Sequence, residues 1–97
     1  MRIFLVEFVI EYTDYNIDGE RTSERFMIGI YSDRDVAYEK AEPYENIKYI
    51  CEYMGSDYES FTAGAFVIHD AHIEITPYIE NGHSVFVPYT TKCIHIV

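Results

Sequence analysis

Residues 65–79 read AFVIHDAHIEITPYI. Phe66 and Ile68 share one parity, and Ile73 and Ile75 share the other. Successive side chains of a β-strand point to opposite faces, so a regular strand cannot bury both pairs. The segment therefore predicts a strand with a bulge or break near His69–Ala71.

The N-terminal segment, residues 2–12, alternates as a strand. Phe4, Val6, Phe8 and Ile10 share one face, and Ile3, Leu5 and Val9 lie on the other with Glu7 and Glu11. A strand that is apolar on both faces belongs in the middle of its sheet. Residues 13–22 are polar, and Asp18-Gly19 signals a turn. Residues 23–31, SERFMIGIY, give a second strand with Phe26, Ile28 and Ile30 on one face. The two strands read as a hairpin with a long loop.

Ser32, with Asp35 three residues on, reads as a helix cap. The helix runs through DRDVAYEKAE and stops at Pro43. Its apolar side is thin: Val36, Ala37 and Ala41. A second helix is expected in ENIKYICEYM, residues 45–54, where Ile47, Ile50, Cys51 and Met54 form one stripe and Gly55 caps the end. Asn81-Gly82 predicts a tight hairpin, with a return strand over residues 83–88 that Pro88 ends or places at an edge. Residues 92–97 read as a last short strand. The whole is a single α+β domain over residues 1–97, mostly antiparallel, in ββααβββ order with two short helices on one face.

The run FMIGIYSDRDVAYEKAEPY resembles a pattern in small uncharacterised hairpin-helix-strand proteins of bacteria and phages. Gly29, Ile30, Tyr31, Ser32, Ala37 and Ala41 carry the likeness, which covers residues 1–44. The resemblance implies a fold and no activity.

Charge restricts function. Seventeen acids against seven bases give a net charge of −10 and a pI near 4.6. Such a balance opposes direct binding to nucleic acid or to an anionic membrane, and favours encounter with basic partners. All seventeen acids precede residue 81, and Lys92 is the one charged residue after it. No apolar run reaches the ~20 residues of a membrane span. Glu7 and Glu11 interrupt the N-terminal apolar run, so it reads as a strand rather than a leader, and a cytoplasmic location is expected. The two cysteines, Cys51 and Cys93, read as buried free thiols in a reducing compartment.

Candidate sites are few. DYNIDGERTSER, residues 14–25, begins like an EF-hand loop with Asp14, Asn16, Asp18 and Gly19. Arg25 stands where the pattern needs a bidentate glutamate, Arg21 where it needs an aliphatic, and the flanks are strands. A calcium-dependent module would draw on Asp14, Asn16, Asp18 and Glu20 or Glu24; the preferred reading is an acidic turn with no metal and no cofactor. His69 and His72 point to opposite faces of a regular strand, and only a bulge brings them together. Cys93 and His95 share a face, and His83 could join from the hairpin. These histidines are read as surface or partly buried. There is no GxSxG, P-loop or GxGxxG, so catalysis is not expected.

Ten tyrosines remain, and six adjoin an acid: Tyr12, Tyr15, Tyr38, Tyr44, Tyr53 and Tyr58. Tyrosine beside carboxylate suits arginine- and lysine-rich partners. The expected function is a non-enzymatic, acidic protein-binding module. Its sharpest form is a DNA-mimic inhibitor of a nucleic-acid-binding protein, of the phage anti-defence kind such as an anti-CRISPR. The expected contact residues are Glu42, Tyr44, Glu45, Glu52, Tyr53, Asp57, Tyr58 and Glu59. The alternatives are the calcium-dependent module and a structural subunit of a homo-oligomer paired through its C-terminal strands.

Overall fold

The computed structural model describes residues 2–15, 19–46, 66–80 and 86–96. Strand β1 (Arg2–Asp14) is the regular strand on which the sheet is built. It pairs antiparallel with β2 (Arg21–Tyr31) on one side and β3 (Phe66–Glu80) on the other. Its two apolar faces thus have the central place that their pattern predicts. On the far edge of β3 lie β4 (Phe86–Pro88) and β5 (Lys92–His95).

The bulge anticipated in β3 is present. Glu11 faces Asp70 and Tyr12 faces Ile68, which leaves His69 as the inserted residue. Ile68 on one side of it, and Ala71, Ile73 and Ile75 on the other, therefore reach the same core. A second bulge was not anticipated. Val6 faces Gly29 and Glu7 faces Met27, so Ile28 is inserted in β2. The parity reverses there: Phe26 and Ile28 pack on the core, Tyr31 replaces Ile30 beside them, and Ile30 is 55% exposed. The Tyr31 ring lies over Gly29, and a Cβ there would lie 2.7 Å from Tyr31 Cζ, so a larger residue would push the ring aside.

β4 and β5 are two halves of one kinked strand. Three residues, 89–91, stand against the two residues 76–77 of β3. The Tyr89 N–H donates to the Pro77 carbonyl at 2.7 Å, and the Thr76 and Thr91 hydroxyls meet at 2.8 Å. Pro88 lies at the end of β4 on the outer side of the sheet, where a missing N–H costs no ladder bond.

One face of the sheet is covered by α1 (Arg34–Ala41). Its cap is Asp33 rather than Ser32: the Asp33 carboxylate accepts from the N–H groups of Asp35 (2.8 Å) and Val36 (3.1 Å). A carboxylate answers both the orphan donors and the helix dipole. The helix seats two alanines, Ala37 and Ala41, both fully buried against Phe4, Val6, Phe8, Ile10, Ile73 and Ile75. Small side chains let the helix sit close to the sheet; Val36 points outward. Each large apolar side chain fully buried in this layer contributes about 1.5–3 kcal/mol.

The expected ββααβββ order with two helices is corrected. The described elements run ββαβββ, with one α-helix. Pro43 ends it, and the chain closes instead into a 3-10 turn (Glu42–Glu45) with Asn46 N–H bonded to the Pro43 carbonyl at 3.3 Å. Glu45, expected to open a second helix, belongs to this turn. The rest of that expected helix, with Cys51, lies outside the described residues, as does the Asn81-Gly82 turn.

The parity reversal has a direct test. Ile73→Ala, in the fully buried layer, is expected to cost about 2–5 kcal/mol in urea unfolding. Ile30→Ala is expected to cost less than about 1 kcal/mol. Equal losses would place Ile30 in the core and remove the β2 bulge.

Candidate functional site

The sheet face opposite α1 carries an ordered set of polar residues. Its ranks follow from register. Arg25, Val9, His72 and His95 stand side by side across β2, β1, β3 and β5. In the next rank stand Met27, Glu7, Glu74 and Cys93. The Arg25 guanidinium lies over nearly buried Val9 and donates to Glu7 at 3.1 Å and to Glu74. Arg21 pairs with Glu11 further along. Burial raises the Glu74 carboxyl, but the hydrogen bond and charge of Arg25, with a smaller part from His72, outweigh it and hold it below the usual range. The Glu74 hydrogen bond in turn raises Arg25.

His72 stands between two carboxylates of its own strand. Its Nδ1 is 2.6 Å from Asp70 Oδ2, and its Nε2 is 3.4 Å from Glu74 Oε1. His95 Nδ1 approaches the other Asp70 oxygen at 3.8 Å. The bulge brings His69 to this face as well, but His69 Nε2 bonds the buried Thr13 hydroxyl at 2.7 Å and so serves the sheet. Cys93, expected to be buried, is exposed on β5; His83 and Cys51 lie outside the described residues.

The expected partner surface is only partly visible. Glu42 and Glu45 are exposed on the 3-10 turn, whereas Tyr44 is half-buried and packs against the core. Glu52, Tyr53, Asp57, Tyr58 and Glu59 lie outside the described residues. Tyr12 and Tyr38 also pack against the core, and Tyr15 is exposed. Among the described tyrosine–acid neighbours, then, most rings are structural. Sequence reasoning missed Asp35 and Glu39. With Glu42 they fall at i, i+4 and i+7, one stripe along α1 and its continuation, and all are exposed. The helical spacing was the available signal.

The calcium reading loses one of its ligands. Asp14 ends β1, while Glu24 faces Ile10, four residues back along the same strand. That is about 13 Å at strand rise, too far for two residues to share an ion with 2.3–2.6 Å bonds. Asn16 and Asp18 lie outside the described residues. Gly19 has φ +69° and its N–H donates to the Asp14 carbonyl at 3.2 Å, which is turn geometry.

A cleft of about 200 Å³ lies between α1 and the β4–β5 kink. Arg2, Arg34 and Lys92 line it, three of the chain's seven bases, and no acid does so among the described residues. Arg34 and Lys92 both approach the Tyr38 ring, at 5.9 and 5.5 Å from its centroid.

The ion pairs of the open face differ in worth. A double-mutant cycle on Arg25→Met and Glu74→Gln is expected to give a coupling of about 1 kcal/mol, since the glutamate is shielded although the arginine is half exposed. The Arg21–Glu11 cycle should stay below about 0.5 kcal/mol, since that arginine stands further out in solvent. A larger coupling for the second pair would contradict this ranking.

No protein family, curated protein or solved structure matches the chain.

Proposed function

We propose that the chain is a non-enzymatic binding protein whose acidic surface occupies a basic site on another protein. One observation carries the reading. Asp35, Glu39 and Glu42 form an exposed stripe continued by Glu45, and none of the four makes an ion pair among the described residues. Like charges at i, i+4 destabilise a helix by a few tenths of a kcal/mol, about as much as an opposite pair would gain. A row of lysines or arginines on a partner relieves that cost. A net charge of −10 adds long-range attraction to such a partner. A groove that normally holds nucleic acid has the complementary charge, so the inhibitory, DNA-mimicking form of the reading follows from the same row. Arg34 and Lys40, on the same helix, are the local exceptions.

The test is competition. A basic protein retained on the immobilised chain is expected to be released by moderate salt and by double-stranded DNA. Replacing Asp35, Glu39 and Glu42 together by lysine should weaken retention at least tenfold. Retention that survives both the DNA and the triple substitution would refute the proposal.

A second reading rests on the cationic cleft. Arg2, Arg34 and Lys92 converge with no carboxylate among them, beside the Tyr38 and Tyr89 rings. Like charges gathered in this way favour a small anion, and the aromatic walls favour one with a flat apolar body. Binding of benzoate or phenyl phosphate, followed by ligand-observed NMR, is expected to weaken about tenfold in Lys92→Gln. No binding of either probe would remove this reading and leave the acidic row untouched.

A further inference from the structure

We propose that Asp70, His72 and His95 form a binding site for a divalent transition-metal ion of the zinc type. The argument begins with the backbone. Ile96 N–H donates to the Ala71 carbonyl at 2.8 Å, so Ala71 and Ile96 are a hydrogen-bonded pair of the β3–β5 ladder. Pairs alternate along an antiparallel ladder. His72–His95 and Glu74–Cys93 are therefore both non-hydrogen-bonded pairs, the kind whose side chains stand closest together. Asp70, two residues from His72, adds a carboxylate on the same face.

The side chains are arranged accordingly. One donor atom each from Asp70, His72 and His95 lies within 4.8 Å of the other two. The Asp70 carboxylate faces two imidazoles, 2.6 Å from His72 and 3.8 Å from His95, and no lysine or arginine among the described residues bonds to it. Ligands 2.0–2.1 Å from a tetrahedral ion are about 3.3 Å from one another; the two imidazoles meet different Asp70 oxygens, and a turn of His95 would bring all three groups around one ion. His95 is 70% exposed at its side chain and can turn without disturbing the core.

The surrounding groups fit a metal ligand. A ligating histidine commonly donates its second ring N–H to a carboxylate, which fixes its orientation. With His72 bound through Nδ1, its Nε2–H points toward Glu74, and Arg25 holds Glu74 in turn. Cys93 stands opposite Glu74, and its sulfur falls within 4.8 Å of a His72 nitrogen. Cys93 groups with His72 and Glu74 rather than with Asp70 and His95, so water would fill the fourth position. Two nitrogens and one carboxylate oxygen suit zinc, cobalt, nickel or copper. They do not suit calcium or magnesium, which require six or more oxygens. The ligands come from two strands, so the ion would clamp β5 onto β3.

The experiment uses the untagged full chain, stripped with chelator, and cobalt(II) and zinc(II) as probes. One equivalent of cobalt is expected to bring up the visible bands of a four-coordinate complex, and one equivalent of zinc to abolish them. His95→Asn and Asp70→Asn, both at partly or largely exposed positions, should each weaken binding at least tenfold. Cys93→Ser, outside the donor set, should bind cobalt as the parent does. Lys40→Gln, on the helix across the sheet, should bind as the parent does. Zinc should also slow amide exchange at Ile94 and Ile96 in the parent and not in His95→Asn. No cobalt spectrum, or equal affinity in His95→Asn and Asp70→Asn, would overturn the proposal.

Discussion

One inserted residue governs the molecule. The β3 strand is long enough to line the whole of β1, but its apolar residues change parity at His69. Without the bulge, either Ile68 or the Ile73–Ile75 pair would face water, at a cost of several kcal/mol in lost burial. With it, both ends reach the core under α1. The same shift sets the opposite face. His69 turns to Thr13, and Asp70, His72 and Glu74 follow in a row beside Cys93 and His95. Core and polar face are thus two results of one backbone irregularity.

The fold also sorts charge. Carboxylates on the open sheet face are drawn into contacts with Arg21, Arg25 and His72. Those on α1 and the 3-10 turn are exposed, without such partners among the described residues. Three bases gather instead at the cleft by the β4–β5 kink. A chain of strong net negative charge therefore presents distinct surfaces: an acidic row, a compensated polar face and a small cationic cleft. Each surface suits a different chemistry.

Much of this was legible in the sequence, and the exceptions have physical causes. Alternation in residues 2–12 gave the central strand, and conflicting parity gave the bulge at His69, because both are counts of apolar positions. The bulge at Ile28 was hidden, because FMIGIY alternates acceptably without it and the register shift against Val6–Glu7 leaves no mark in that alternation. Asp33 displaced Ser32 as the helix cap because adjacent capping residues compete and a carboxylate has the stronger claim. The shared face of Cys93 and His95 was readable from spacing, but their match to Glu74 and His72 depends on a register that the kink at 89–91 sets. The tyrosines misled because a ring beside an acid can serve the core as well as a partner; Tyr12, Tyr38 and Tyr44 do.

Cross-strand proton contacts measured by NMR test this account most directly. Non-hydrogen-bonded pairs bring opposing Hα atoms close together, so strong Hα–Hα contacts are expected for His72 with His95 and for Glu74 with Cys93. Contacts displaced by one residue, such as His72 with Ile94, would contradict the account, because Cys93 and His95 would then face the core and the polar face would not exist as described.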